Sequence, residues 1–106
     1  MPISNRPWSE ISETAYKDAA AFCAACLIDL NAPGDDKVKG KCKLPVREPG
    51  GALNRGAVHA AAGSLAGARG GVQAGGQDKR MAARKLVRLY RELDEEPPES
   101  VKRLAG

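Results

Sequence analysis

The chain is short of the residues that usually anchor a core or a reaction centre. It has one histidine, one tryptophan, one phenylalanine and two tyrosines in 106 residues. His59 stands without a nucleophile or an orienting third group that can be nominated beside it, so general-base duty has no supporting set. No catalytic residue is assigned and the chain reads as a non-enzyme. No apolar run is long enough to span a bilayer, and the opening MPISNRPWSE has no apolar signal-peptide core. The expectation is therefore no membrane association, in a chain that is intracellular or assembled inside a cell. Three cysteines are an odd number, which argues against a disulfide framework. In a reducing compartment Cys23, Cys26 and Cys42 are expected to stay as thiols. No internal repeat is visible.

What is present is alanine, glycine and charge. Alanine buries little area per residue, so stability is expected to be modest or completed by a partner. The net charge of +4 and pI near 9.2 permit acidic partners without demanding them. At this length the chain is one small domain.

Residues 1–11 read as an N-terminal arm, with Pro2 and Pro7 discouraging regular structure and Trp8 as its anchor. From 12 to 30, Tyr16, Ala19, Phe22, Cys23, Cys26 and Leu30 recur at three- and four-residue steps, which predicts a helix with Ser12 as N-cap. Asn31, Pro33 and Gly34 end it. Residues 42–47 are extended, Leu44 being biased that way by the following proline, and Glu48-Pro49-Gly50-Gly51 is a turn. Asn54 caps a second helix over 55–68, buried along Val58, Ala61, Ala62 and Leu65. A third helix covers 78–94, with Ala82, Leu86, Leu89, Tyr90 and Leu93 inward. Pro98 opens a short last turn over 98–104. The fold class expected is mainly α: a small bundle of about three helices with an extended proline-containing loop or short hairpin.

Several motifs invite chemistry. Cys23-x-x-Cys26, Cys42 and His59 add up to four zinc ligands, but the spacing is not that of a finger and Cys23 and Cys26 fall within a predicted helix, where thiols pack as small hydrophobes. No metal site and no cofactor is assigned. Gly67-Ala68-Arg69-Gly70-Gly71 lacks the Gly-Lys-Ser/Thr ending of a phosphate loop and follows a helix; it reads as a hinge or C-cap. Lys79, Arg80, Arg84, Lys85, Arg88 and Arg91 make a basic stripe. It suits a solvated or acid-docking face, with a small basic nucleic-acid-binding module as the alternative function. The acidic residues from Glu92 to Glu99 follow at once and work against that alternative. The proline-flanked 42–54 segment suits lying along another protein, where little entropy is lost on ordering, and Arg47 offers a bidentate donor. The same segment also reads as an ordered loop packed on its own helices.

The run Cys42-Lys43-Leu44-Pro45-Val46-Arg47-Glu48-Pro49, with Asn54-Arg55 and Val58-His59-Ala60-Ala61, resembles a small domain of tailed-bacteriophage head modules. Ala83-Arg84-Lys85-Leu86-Val87-Arg88-Leu89-Tyr90-Arg91-Glu92 and Glu96-Pro97-Pro98 continue the likeness, which covers roughly residues 22–100. Such domains stand alone or attached to prohead-protease-type and other capsid-associated proteins. The resemblance implies a decoration (cement) or minor head protein on the major capsid protein lattice, with self-association there, located in the virion and assembled in the host cytoplasm. Protease activity is not carried over, because the chain has no room for a protease domain. The residues expected to meet the partner are Trp8 with its arm, Leu44, Pro45, Val46, Arg47 and Arg69.

Overall fold

Cys26 to Asp29 decides the architecture. The stretch Phe22–Ile28 is almost wholly apolar, and such a run satisfies helical and strand periods alike. The computed structural model, which describes residues 3–67, 71–72 and 74–106, breaks the expected 12–30 helix into three pieces. Ser12 accepts a hydrogen bond from the Thr14 amide and caps a single 3₁₀ turn, Glu13–Ala15. Asp18 then accepts from the Ala21 amide at 2.8 Å and starts helix α1, Ala19–Ala24. The chain leaves that helix as a strand, Cys26–Asp29, which pairs antiparallel with Cys42–Pro45 in the register Cys26↔Pro45 and Ile28↔Lys43. These two are β2 and β3.

A second, smaller pairing corrects the picture of a loose arm. Ile3–Ser4 forms β1 and lies parallel to Leu53–Asn54, β4. Helix α2 follows over Arg55–Leu65, α3 over Gly76–Glu92 and α4 over Glu99–Ala105. The fold among the described residues is therefore mixed α and β, four helices with an antiparallel strand pair and a parallel one, and not a mainly α bundle. The bundle expectation failed because it read residues 26–29 as helix and gave the arm nothing to pair with.

Packing explains why the pieces hold. Leu27 and Ile28 of β2, Val46, Leu53, Val58 and Ala62 of α2, Leu86 and Tyr90 of α3 and Val101 of α4 share one core. Leu53, Val58 and Leu86 are completely buried, and each such side chain contributes about 1.5–3 kcal/mol. Ala61 and Ala62 on α2 and Ala82 and Ala83 on α3 are buried as well; side chains this short let packed helices approach closely. A satellite core holds Tyr16, Phe22, Cys23, Ala25 and Cys42, with Tyr16 and Phe22 edge to face at 5.2 Å. Leu30, expected inward, is 40% exposed, because the strand ends at Asp29.

Cys23 and Cys42 are joined as a disulfide, with Cα atoms 5.3 Å apart. This overturns the reading of both as free thiols. The odd count is resolved by Cys26 remaining free. Pairing depended on the β2–β3 hairpin, which carries Cys42 back to α1.

Helix ends follow their sequence signals closely. Asn54 accepts from the Ala57 amide at 2.8 Å, as its cap position predicts. Gly67, just past α2, takes a positive φ of 102° and donates to Ser64 O, which suits the C-cap reading of that glycine. At the end of α3 the left-handed position falls on Asp94, φ 60°, with Asp94 N bonded to Arg91 O and Glu95 N to Tyr90 O. Glycine has no Cβ penalty there. Asp94→Gly is therefore expected to stabilise the fold by about 0.5–1 kcal/mol, read as an increase in the denaturation midpoint at unchanged slope.

Candidate functional site

The arm crosses the first turn of α2 at Gly56. A Cβ built there would lie in ordinary contact with Trp8 Cβ at 3.5 Å and more tightly, 3.3 Å, against Asn54 Oδ1, so a side chain at this position would press on the capping oxygen rather than on the arm. The crossing places Trp8 beside Leu44 and Pro45 of β3. Together with Ile11, Tyr16 and Lys43 they line an open groove of about 380 Å³. Trp8, Leu44 and Pro45 also border a shallower depression over Ala57, Ala60, Ala61 and Ser64 of α2.

Leu44 is the unusual residue in this groove. Its φ is +62°, the left-handed region, although it is neither glycine nor asparagine and precedes a proline. The pre-proline preference for extended backbone does not hold here. The conformation costs roughly 1–2 kcal/mol, and the β2–β3 pairing with the packing of Val46 holds it in place.

The other residues expected to face a partner go elsewhere. Val46 is 3% exposed and is spent on the main core. Arg47 follows β3 and forms an isolated bridge with Leu53. It lines a second groove of about 480 Å³ with Cys26, Lys85, Arg88 and Glu92, and its guanidinium stands 4.0 Å from the Glu92 carboxylate. Arg69 lies outside the described residues. Lys43 and Ser64, which border the Trp8 groove, carried no sequence signal beyond proximity to Leu44 and to α2.

The polar groups outside that groove serve the fold. His59 Nε2 is 2.7 Å from Glu95 Oε1, and its ring stacks on Tyr90 with centroids 5.8 Å apart. Arg55 bonds the other Glu95 oxygen and the Leu93 carbonyl. The His59 hydrogen bond first, and Arg55 second, hold the Glu95 carboxyl below its usual range. The quartet ties α2 to the link between α3 and α4. Cys26 is pushed up to about 12 by burial and then by the Glu13 and Asp29 carboxylates, so it stays a neutral thiol and lacks the activation a nucleophile needs. The basic stripe is partly consumed: Arg84 donates to the Ala105 carbonyl at 2.9 Å and Lys85 to the Leu27 carbonyl at 3.1 Å.

His59 and the cysteines do not converge as a four-ligand set. Among the described residues, the side chains with metal-ligating atoms within 4.8 Å of one another are Cys23, Asp29 and Cys42. No helix among these residues is long and apolar enough to cross a membrane. The chain matches no protein-family model, no curated protein and no solved structure.

Proposed function

We propose that this chain is a capsid-associated structural protein of a tailed-phage head, which docks on the lattice of the major capsid protein through the Trp8–Leu44–Pro45 groove and performs no bond-making chemistry. The observation that carries this reading is Leu44. A half-buried leucine held at positive φ before a proline, packed on the main core yet lining the same groove as the chain's sole tryptophan, is a local cost set at the groove's edge. Aromatic and aliphatic anchors in a desolvated groove are the usual carriers of binding energy. The occupant is an extended segment of a lattice subunit. An extended segment suits an open groove bordered by a strand, and the groove carries one charge of each sign, Lys43 and Glu13, so its apolar residues rather than its net charge would hold the segment. Many copies on a shell bind tightly only when each bridges neighbouring subunits. The groove at Trp8 and the groove at Arg47 and Arg88 have different linings, so two contacts are on offer.

The nucleic-acid alternative is weaker, because Arg84 and Lys85 are committed to carbonyls of the chain itself. Two variants test the docking reading. Trp8→Ala is expected to weaken binding to assembled heads about 30-fold. Leu44→Gly removes a groove side chain while relieving the backbone. It is expected to weaken head binding at least tenfold without lowering the melting temperature by more than about 3 °C. Head binding unchanged in both variants, or steeply salt-dependent binding to duplex DNA in its place, would remove this reading.

A further inference from the structure

Four electron-rich atoms converge on one side-chain amide beside the Cys23–Cys42 disulfide. Asn31 Nδ2 lies 2.8 Å from Asp29 Oδ1, 3.3 Å from the Val38 carbonyl, 3.3 Å from Cys42 Sγ and 3.7 Å from Cys23 Sγ. Its two hydrogens serve the two oxygens, and the Asn31 backbone amide also donates to Asp29 Oδ1 at 2.9 Å, so the amide occupies the point where all four atoms meet. Two are sulfurs, one a carboxylate oxygen and one a backbone oxygen. The two sulfurs are bonded to each other, and an Asp29 carboxylate oxygen lies within 4.8 Å of both. Once the bond is reduced, a tetrahedral zinc site needs the sulfurs to part to some 3.5–3.8 Å, given bonds of about 2.0–2.3 Å.

The surroundings fit a metal as well. Cys23 and Cys42 are each 5% exposed, in the satellite core with Phe22 and Tyr16. Lys37 Nζ lies 2.5 Å from Asp29 Oδ2 and fixes the carboxylate, while Oδ1 accepts from the Asn31 backbone and side-chain amides, the latter being the group a metal would displace. An outer partner such as Lys37 orients a ligand. Two thiolates with one carboxylate favour zinc over magnesium or calcium.

We propose that the dithiol form of this chain binds one zinc ion through Cys23 Sγ, Cys42 Sγ and Asp29, with Asn31 turned aside and the Val38 carbonyl or a water in the fourth position. Zinc and the disulfide are then alternative states of one site. A small-molecule disulfide converts one into the other. The Cys23–Cys42 bond forms, the oxidant's sulfur–sulfur bond breaks to give two thiols with uptake of two protons, and Zn²⁺ leaves. The site would suit a protein made in a reducing cell and later carried out of it, but it does not depend on the docking reading.

The test is metal binding by the full chain, reduced and freed of reductant under nitrogen. Co²⁺ is expected to bind one equivalent with sulfur-to-cobalt charge-transfer absorption, displaced by Zn²⁺. The oxidised chain shows no such band, and Cys26→Ser behaves as the wild type. Asp29→Asn still forms the disulfide but binds Zn²⁺ at least tenfold more weakly. Because reduction loosens the fold, melting of the reduced chain is followed with and without Zn²⁺, which is expected to raise the midpoint only in the reduced form. Absence of the cobalt band from the reduced wild type, its loss in Cys26→Ser with no effect of Asp29→Asn, or a reduced chain whose melting ignores Zn²⁺ would each overturn the proposal.

Discussion

Reduction of the Cys23–Cys42 bond, in the presence of a chelator, is expected to lower the stability of the chain by about 3 kcal/mol. The bond closes a loop over a sequence separation of 19 residues, and restricting such a loop in the unfolded chain contributes about 3 kcal/mol in the chain-entropy account. Little else secures this part of the molecule. The satellite core contains Tyr16, Phe22, Ala25 and the cysteines themselves, and the residues from 32 to 38 between the paired strands are exposed. A domain of this size has only about 5–15 kcal/mol in total, so the melting temperature should fall by on the order of 10–20 °C. Thermal unfolding followed by circular dichroism, with and without reductant, measures it. Cys26→Ser, which touches no disulfide, should leave the midpoint of the oxidised chain within about 3 °C. An equal drop in that variant would mean that a different pair of cysteines is joined.

Asn54→Ala is expected to cost about as much, roughly 3–4 kcal/mol, by another route. Asn54 is completely buried. Its oxygen caps α2 at the Ala57 amide, and its nitrogen donates to Glu48 Oε2 at 2.8 Å and to the Arg6 carbonyl at 3.1 Å. Truncation removes the cap and leaves a buried carboxylate and a carbonyl of the arm short of donors. Asn54→Asp keeps the cap and places a second carboxylate beside Glu48, so it should destabilise most at neutral pH and least in acid. The wild type carries the opposite dependence. Hydrogen bonds from Ser4 and then Asn54 lower the Glu48 carboxyl below its ordinary range, and Glu95 is lowered by His59 and Arg55. A group whose folded pKa is depressed contributes stability that is complete above its unfolded pKa, about 4.3–4.5. That contribution fades as pH falls through the folded value. Denaturant midpoints should therefore decline below about pH 4.5, and the arm, which Glu48 and Asn54 hold, should loosen in the same range. Chemical-shift changes at Ile3–Ser4 report that loosening.

Local signals were legible where they act locally. The Asn54 cap, the turn at Glu48–Gly51, the inward faces of α2 and α3 and the final short helix all follow from side-chain spacing and capping chemistry. What escaped the sequence depends on distant partners. Residues 26–29 become a strand only because Cys42–Pro45 lies alongside, and nothing within an apolar run distinguishes the two outcomes. The disulfide depends on the same hairpin. Leu44 contradicts its own local rule, and a residue that breaks a local rule marks a place where the rest of the fold has overridden it. Of the candidate contact residues, Trp8, Leu44 and Pro45 share a groove, whereas Val46, just past the end of β3, is turned into the main core. Asp29 gave no signal and Asn31 read only as a helix end; both matter through their position against Cys23 and Cys42.

The groove at Trp8 is central to the proposed docking, and co-sedimentation of the oxidised chain with assembled tailed-phage heads, the partner proposed for it, tests it most directly. The account predicts that the chain pellets with the heads, saturates at a fixed number of copies per particle, and stays largely in the supernatant when Trp8 is replaced by alanine. A wild-type chain that remains in the supernatant at every head concentration, or one whose pelleting is indifferent to Trp8, would contradict it.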